Sequence, residues 1–350
     1  MSSLAQPMQH PGSGRAIGML GADIPVELIL AADAMPRPLG ANIDQHRDLG
    51  LADRFVENSF SLASRVVAQQ WLSGELDALD AVVFSRGDDS AQRLYYYLCE
   101  LQRSGECGGP RPLIYDIASI PRSSSLAHTV DSTRSLAAAI GVRDDRLPAA
   151  VQRVAERAQL LNQLSHLRAS DAVPLGSVAH RMFRAARADW SEEFERSLRT
   201  WLTSPQLIEP ARRVLLVGSV PADERLHLAL EVEGGVIIGE INETPRLIPA
   251  DEQGLIDVES IARRTYLQTR AARGLLRTPS DILKAARALR ADAVIVWMLA
   301  TDTGLAWESP RIERALSDAA LPLLRLTSQP DVWDEQTLAR ATQFVAGVVR

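Results

Sequence analysis

Short apolar runs alternate along the chain with longer segments in which apolar residues recur at helical spacing. Residues 214–217 (VLLV) and 236–238 (VII) consist of leucine and β-branched residues, which is typical of strands buried on both faces. Between these runs, Leu226, Leu230 and Val232 predict the buried stripe of a helix that ends at a pair of glycines. The order strand, helix, strand predicts a parallel β-α-β unit.

The same alternation extends through most of the chain. Further predicted strands cover residues 15–20, 81–84, 112–117, 293–299 and 322–326. Predicted helices cover residues 61–72, 91–102, 129–140, 148–167, 179–188, 191–202, 256–276, 280–289, 310–319 and 335–349, and a further helix opens at Pro25. Serial crossovers of this kind favour open parallel sheets. We therefore predict an α/β fold.

The predicted elements fall into two groups with a helical region between them. We expect a disordered N-terminus (residues 1–14), an N-terminal α/β domain (15–147), a helical connector (148–211) and a C-terminal α/β domain (212–350). Each domain is expected to hold an open, mostly parallel sheet. An interdomain cleft between the two sheets is part of this prediction.

Composition narrows the class of protein. A hydrophobic content of 46%, a charged content of 23% and a net charge of −6 describe a soluble globular chain. Lysine and arginine are dispersed, which argues against a nucleic-acid surface. No apolar run reaches the length of a membrane helix, and the first residues (MSSLAQPMQHPGSG) have neither a signal core nor a transit pattern. We therefore expect a cytoplasmic location and no membrane partner.

Standard catalytic and metal-binding motifs are missing from the sequence. The two cysteines, Cys99 and Cys107, are too few for a disulfide framework or for an iron–sulfur cluster, which needs about four thiolates. We expect both to be structural. A Gly-Ser-Gly triplet at residues 12–14 precedes its strand and so does not predict dinucleotide binding. The six histidines are scattered and are expected to be surface or core residues rather than ligands.

Polar residues follow several of the predicted strands. Parallel sheets bind ligands beyond the carboxyl ends of their strands, so these residues are candidates for a shared cleft. The candidate cleft residues are Asp23, Glu27, Asp88, Asp89, Ser90, Glu240, Asn242, Glu243, Arg246, Thr301 and Asp302. Taken singly, Asp89, Ser90 and Thr303 would serve as helix caps. Taken together, the loops favour a binding cleft.

The order of sequence blocks resembles a known family. The blocks are IPVELILAADAMPRPLG (residues 24–40), LDAVVFSRGDDSAQRL (79–94), RVLLVGSVP (213–221), GGVIIGE (234–240) and ADAVIVWMLATDTGLAWESPRIERALSDAALPLLRL (291–326). They are similar to the D-component family of 2-hydroxyacyl-CoA dehydratases, which includes benzoyl-CoA reductase subunits. The resemblance extends over nearly the whole chain and implies two α/β domains around a cleft.

The departures from the family pattern concern its iron–sulfur cluster. The resemblance implies that cysteines from the cleft loops hold a four-iron cluster between the domains. Here the matching places carry Glu57 or Asn58, Asp88, Asn242 or Glu243, and Thr301. We therefore expect no cofactor and no metal in this chain. Replacement of the cluster by a hard cation such as Mg²⁺ or Ca²⁺ stays open as an alternative, because these residues offer oxygen ligands.

Three functional hypotheses follow. The first is a cluster-less subunit of a 2-hydroxyacyl-CoA dehydratase (a lyase) or of a benzoyl-CoA reductase-like system. By family analogy it would form a heterodimer with a homologous cluster-bearing subunit, use an ATP-driven activator and contribute to an acyl-CoA pocket. The alternative is a redox-independent small-molecule-binding protein or enzyme in which Asp88, Glu240, Glu243 and Asp302 act as acids, bases or cation ligands. In the third, a partner's cysteines complete a cluster.

Overall fold

The N-terminal half of the chain builds the first of two sheets. The computed structural model describes residues 14–40, 47–118, 120–244, 256–331 and 333–348. Its first elements are β1 (Ala16–Leu20), α1 (Val26–Ala31), β2 (Met35–Pro38), α2 (Leu62–Leu72), β3 (Ala81–Ser85), α3 (Asp89–Ser104), β4 (Arg111–Tyr115) and α4 (Ser123–Ile140). Short 3₁₀ turns cover Ala52–Arg54 and Asp144–Arg146. We call the sheet with α1 to α4 the N-terminal lobe.

The remainder of the chain continues with helices and then builds a second sheet. Three helices come first, α5 (Leu147–Ala169), α6 (Gly176–Ala188) and α7 (Glu192–Thr203). They are followed by β5 (Arg212–Gly218), α8 (Arg225–Val232), β6 (Gly235–Ile241), α9 (Val258–Arg277), α10 (Pro279–Ala288), β7 (Ala293–Leu299), α11 (Thr303–Ala306), α12 (Ser309–Asp318), β8 (Leu323–Gln329) and α13 (Glu335–Ala346). We call the second sheet with α8, α10, α12 and α13 the C-terminal lobe.

Both sheets have the same topology. The strand orders are β2-β1-β3-β4 and β6-β5-β7-β8, and every pairing between these strands is parallel. In each sheet the first strand of the lobe lies second in the order, so the chain winds outwards in both directions from it. The predicted α/β fold with two open parallel sheets is confirmed.

Each sheet is covered on both faces. In the N-terminal lobe, α1, α4 and α5 pack on one face of the sheet, and α2 and α3 pack on the other. In the C-terminal lobe, α10 and α12 cover one face, while α8 and α13 cover the other. Because both faces are buried, the central strands carry the near-continuous apolar runs that identified them in the sequence.

The prediction for the stripe of α8 was wrong at one position. Leu226 and Leu230 are fully buried, whereas Val232 is 82% exposed. Residues 226 and 230 are four apart and share a helix face. Val232 lies only two positions after Leu230, which turns its side chain about 200° away towards the opposite face.

The helical segment between the sheets is held by a buried charge pair. Arg157 of α5 is fully buried and donates from Nε to Oε1 of Glu195 in α7 at 2.8 Å. It also donates to the carbonyls of Ala186 and Asp189 at 2.6 and 2.7 Å, and its guanidinium lies 3.9 Å from the ring centroid of Trp190. One side chain therefore fixes the C-terminal end of α6 against both neighbouring helices.

Helix α9 links the two lobes, although it follows β6 in the sequence. It packs along α4 of the N-terminal lobe. Its residues Ile261 and Tyr266 are buried in the core on the α1 face of the first sheet. Arg264 of α9 contacts Glu27 of α1 at 2.6 Å, so the predicted cleft candidate Glu27 is in fact part of this helix contact.

Several element boundaries differ from the prediction. Helix α10 has Thr278 at its N-cap position and begins with Pro279, one residue before the predicted range of 280–289. Strand β6 continues to Ile241, three residues beyond the predicted end. None of the helices in the described ranges has the length and apolar character needed to cross a bilayer.

Candidate functional site

The carboxyl ends of β1 and β3 approach each other closely. Gly21, directly after β1, has a φ of +119°, and a β-carbon there would lie 2.3 Å from Cβ of Ser85 at the end of β3. Only glycine fits this position, because it avoids both the steric clash and the unfavourable backbone conformation. The tight turn brings the next loop, which carries Asp23, into the space above the sheet.

Asp23 is a buried carboxylate with an unsatisfied oxygen. The residue is 5% exposed, and its Oδ1 has no hydrogen-bond partner in the described structure. Its Oδ2 accepts from Nη2 of Arg273 in α9 at 3.3 Å. Burial raises the pKa of Asp23, and the neighbouring Ser85 hydroxyl and Arg273 charge only partly offset this. Asp23 is therefore a buried acid that can accept a further hydrogen bond.

Two arginines from outside the N-terminal lobe interact electrostatically with this carboxylate, and one of them contacts it. Arg273 lies so close to Gly87 that a β-carbon on Gly87 would sit 1.9 Å from Nη2 of the arginine. Arg187, near the end of α6, is part-buried, and its charge interacts with that of Asp23. Burial lowers the pKa of Arg187, although the charge of Asp23 opposes this. The region around Asp23 thus joins β1, β3, α6 and α9.

Asp88 lies at the start of α3 and faces the second sheet. Its Oδ1 accepts from the backbone N–H of Ala91 at 2.9 Å, which makes it the N-cap of the helix. The side chain is open to solvent, yet surrounding protein raises its pKa, and the charge of Asp302 from the C-terminal lobe raises it further. A carboxylate that is solvent-accessible but largely surrounded lines a crevice. Asp88, after β3, and Asp302, after β7, are therefore close enough for their charges to interact between the two lobes.

The C-terminal lobe contributes a hydroxyl and a carboxylate to this crevice. Gly218 ends β5 with a φ of +127°, and the next residue, Ser219, donates from its N–H to the carbonyl of Trp297 in β7 at 2.8 Å. The Ser219 hydroxyl donates to Oδ2 of Asp302 at 2.9 Å and accepts from the N–H of Leu299 at 3.1 Å. The loops after β5 and β7 are thereby locked together.

A second contact crosses between the lobes near β8. Asp331, two residues after this strand, interacts with the backbone N–H of Leu62 at the first turn of α2. A carboxylate is favoured at a helix N-terminus by the unpaired N–H groups and the helix dipole. Burial nevertheless raises the pKa of Asp331. The crevice is therefore bounded by contacts on more than one side.

Asp89 and Ser90 do not point into the crevice. Asp89 has a side chain that is 84% exposed and lies 3.8 Å from Arg93 one helical turn later. The Ser90 hydroxyl accepts from the backbone N–H of Ser61 at 3.0 Å, which ties α3 to the start of α2. The interpretation of these residues as caps of α3 is also wrong, because Asp88 holds the cap position.

The remaining predicted cleft residues come from the loops after β6 and β7 and differ in burial and in bonding. Asn242 accepts from the N–H of Thr244 at 3.0 Å and so closes a turn. Glu243 is part-buried in the same loop, and Thr301 is exposed after β7. The predicted residue Arg246 lies outside the described residues.

Glu57, which occupies a position where the family resemblance implies a cysteine, lies beside α3. Its carboxylate accepts from the hydroxyl of Tyr97 at 2.7 Å and pairs with Arg93. The hydrogen bond from Tyr97 lowers the pKa of Glu57. These bonds hold Glu57 at the surface of the N-terminal lobe.

Glu240 lies within β6 and not in the loop predicted to carry it. The pairing of β6 with β5 slips by one residue at Ile238, and such a bulge reverses the alternation of side chains. Ile237 and Ile241 consequently belong to cores on opposite faces of the sheet. Glu240 is turned towards α6 and α8 and is separated from the loop residues with which it was grouped.

Two histidines meet Glu240 beneath these helices. His180 Nδ1 lies 3.1 Å from Oε1 and 3.3 Å from Oε2 of Glu240, and His227 Nε2 lies 3.2 Å from Oε1. Their rings stack with centroids 4.4 Å apart, and both residues are buried. Arg168 approaches Oε1 to 3.8 Å. Burial opposes the charge of Glu240, but the two histidines outweigh it and hold the pKa of Glu240 well below its usual range.

Sequence reasoning missed the basic and histidine residues of both clusters. Arg273 and Arg187 lie on helices, far in sequence from the strand-end loops on which the prediction relied. His180 and His227 are 47 positions apart, and no short motif connects them. Ser219 did carry a signal, because it comes two residues after the predicted strand at residues 214–217, and parallel sheets bind ligands beyond the carboxyl ends of their strands.

The pH dependence of stability tests the environment of Asp23. Because burial raises its pKa, the folded protein retains this proton over a pH range in which the unfolded chain has lost it. The contribution of the Asp23 carboxyl group to the free energy of unfolding therefore decreases as the pH rises. Asp23→Asn remains neutral, so its melting temperature relative to wild type is expected to increase between about pH 4 and about pH 7. Thermal scans across this range measure the difference.

Asp89→Asn is the matched control, since it removes an exposed carboxylate from the adjacent helix. It is expected to change the melting temperature little. A melting temperature of Asp23→Asn that falls relative to wild type as the pH rises would contradict a raised pKa at Asp23.

Comparison with known proteins connects this geometry to one family. The model of the family described as 2-hydroxyglutaryl-CoA dehydratase, D-component, matches residues 22–346. No match was found among the curated proteins. The matched range includes both sheets and all the crevice residues described above.

Proposed function

The chain belongs to the 2-hydroxyglutaryl-CoA dehydratase D-component family, and from this premise we propose that it is a subunit without an iron–sulfur cluster of its own. It would serve a 2-hydroxyacyl-CoA dehydratase or benzoyl-CoA reductase-like system. A homologous subunit would carry the cluster and receive electrons from an ATP-driven activator. This chain would contribute structure and part of an acyl-CoA pocket.

The single observation that carries the proposal is the position of the two cysteines. Cys99 lies eleven residues after Asp88 along α3, or about 16 Å further along the helix axis. Cys107 packs with Trp71 in the core on the outer face of the first sheet, and burial raises the pKa of its thiol. Neither thiol is placed to bind a group between the lobes.

The donor chemistry of the crevice does not fit a four-iron cluster. Such clusters are held by about four cysteine thiolates. The crevice presents oxygen atoms from Asp23, Asp88, Ser219 and Asp302, together with the guanidinium of Arg273. We therefore assign no electron-transfer step to this chain.

The same residues are suited to binding the acyl part of a coenzyme A thioester. Oδ1 of Asp23 is buried without a partner, and a movement of the surrounding loop that opens access to it would let it accept a hydrogen bond from a substrate hydroxyl. Arg187 and Arg273 flank this carboxylate and can balance negative charge on a ligand. Binding would then depend on more than the N-terminal lobe, because Arg187 lies on α6 and Arg273 lies on α9.

Anaerobic purification tests the absence of a cluster. The chain expressed alone is expected to be colourless and to contain well under one iron and one acid-labile sulfide per chain. Co-expression with a cluster-bearing homologous subunit is expected to yield a stable, coloured complex. Stoichiometric iron and sulfide in the isolated chain would contradict the proposal, and so would unaided turnover of an acyl-CoA by the isolated chain.

Binding measurements on the complex test the pocket. Arg187→Met is expected to weaken binding of 2-hydroxyglutaryl-CoA by roughly 10- to 150-fold, because one charge-assisted hydrogen bond contributes roughly 1.5–3 kcal/mol. Arg196→Met removes a similarly charged but exposed side chain of α7 and is the matched control. Equal affinities of the two variants would show that Arg187 does not face the ligand.

One observation favours a second candidate, a redox-independent enzyme. The pKa values of Asp23 and Asp88 are both raised by burial, as is required of carboxyl groups that act as general acids near neutral pH. In this case the isolated chain would catalyse a reaction of a small-molecule substrate, and Asp88→Asn would abolish it. The iron analysis and the activity of the isolated chain distinguish the two functions.

A further inference from the structure

The cluster of His180, His227 and Glu240 has the composition of a transition-metal site. Two imidazoles and one carboxylate form the protein ligand set of many zinc sites. The three side chains come from α6, α8 and β6, and one potential ligand atom from each lies within 4.8 Å of the others. This convergence of three separate elements on one point requires an explanation.

Two of the three distances between potential ligand atoms are close to those around a bound ion. Zinc–ligand distances of about 2.0–2.2 Å at tetrahedral angles place neighbouring ligand atoms about 3.4 Å apart. His180 Nδ1 lies 3.1 Å from Glu240 Oε1, and His227 Nε2 lies 3.2 Å from the same oxygen. Small rotations of the side chains would therefore open the space that a zinc ion needs. The second oxygen, 3.3 Å from His180 Nδ1, can supply a further ligand.

Arg168 is the residue that opposes this assignment. Its Nη2 lies 3.8 Å from Glu240 Oε1, and it donates to the carbonyl of Ile237 at 3.1 Å. A nearby guanidinium repels a cation and lowers its affinity. However, metal-bound carboxylates commonly accept a hydrogen bond from an outer residue, and Arg168 lies in the position for that role.

We propose that His180, His227 and Glu240 bind one Zn²⁺ ion, which would fasten α6 and α8 to the edge strand β6. Imidazole and carboxylate ligands suit zinc better than they suit Mg²⁺ or Ca²⁺. The site lies apart from the crevice residues and does not depend on the proposed function. Its effect on the crevice is indirect, because α6 also carries Arg187, seven residues and about two turns after His180.

Zinc binding is measured on the full-length wild-type chain after chelator treatment. Titration with Zn²⁺ against a chromophoric competitor is expected to show one site per chain. X-ray absorption at the zinc edge is expected to show two imidazoles and a carboxylate at about 2.0–2.2 Å. This experiment needs no variant, so loss of folding cannot obscure it. Absence of stoichiometric binding, or a ligand shell without two imidazoles, would overturn the proposal.

Single-residue variants test whether these side chains bind the zinc ion. Loss of an outer partner alone costs about 10–100-fold in metal affinity, so His227→Ala and His180→Ala are expected to lose more than 100-fold. His166→Ala, which removes an exposed histidine from α5, is the matched control and is expected to bind normally. Zinc retained by folded His180→Ala and His227→Ala would refute the assignment.

Discussion

Gly218→Ala is expected to destabilise the C-terminal lobe by about 4 kcal/mol or more, which is at the upper end of the range for single substitutions. A β-carbon at this position would lie 1.9 Å from the carbonyl oxygen of Trp297 in the neighbouring strand. The obstructing atom belongs to the backbone of the sheet and cannot move without breaking the pairing of β5 with β7. The φ of +127° adds backbone strain for any residue with a side chain.

Urea unfolding of Gly218→Ala and Gly105→Ala separates steric clash from backbone strain. Gly105 also has a positive φ, +78°, but a β-carbon there would meet no atom within 4 Å. Its replacement is expected to cost only about 1–2 kcal/mol. If the two variants lose equal stability, the close approach between the ends of β5 and β7 is not as described. Since Ser219 follows Gly218, the variant is also expected to disrupt the bond between Ser219 and Asp302.

Arg157→Met is expected to cost about 3–5 kcal/mol, because it leaves the carboxylate of Glu195 buried without its counter-charge. The carbonyls of Ala186 and Asp189 would also lose their donor. Calorimetry or urea unfolding measures the loss. The surface pair of Arg196 and Glu193 supplies the control, and Arg196→Met is expected to change stability by less than about 1 kcal/mol.

The double variant Arg157→Met/Glu195→Leu tests the physical cause. Removing both charges avoids an unpaired buried ion, so the double variant is expected to be more stable than Arg157→Met alone. It should not regain full stability, because the two carbonyls would still lack a donor. A double variant no more stable than the single one would show that lost packing on Trp190, and not the unpaired charge, dominates the cost.

The sheets could be predicted from the sequence because their strands are buried on both faces. A run such as residues 293–299 must be apolar at nearly every position, whatever surrounds it. Capping positions were harder to predict, since Asp88 and Asp89 are equally suitable residues and only the backbone conformation selects between them. The bulge at Ile238 left no clear signal, although it decides which way Glu240 faces.

The residues of the crevice could be predicted only in part, because tertiary packing brings some of them into place. Asp23, Asp88 and Asp302 each lie three residues after a strand, and topology alone places them at the carboxyl edges of the sheets. Arg273 reaches Asp23 from a helix 250 residues later in the chain. Its contribution depends on how α9 packs, which is decided by tertiary contacts and not by local sequence.

The packing of α9 also has a consequence for synthesis of the protein on the ribosome. The core on the α1 face of the first sheet includes Ile261 and Tyr266. Helices α1, α4 and α5 cover most of this face, but the part that Ile261 and Tyr266 contact stays exposed until these residues leave the ribosome. The core of the N-terminal lobe is therefore completed only after α9 has been synthesised. Chaperones that shield nascent chains have a defined surface to protect during this interval.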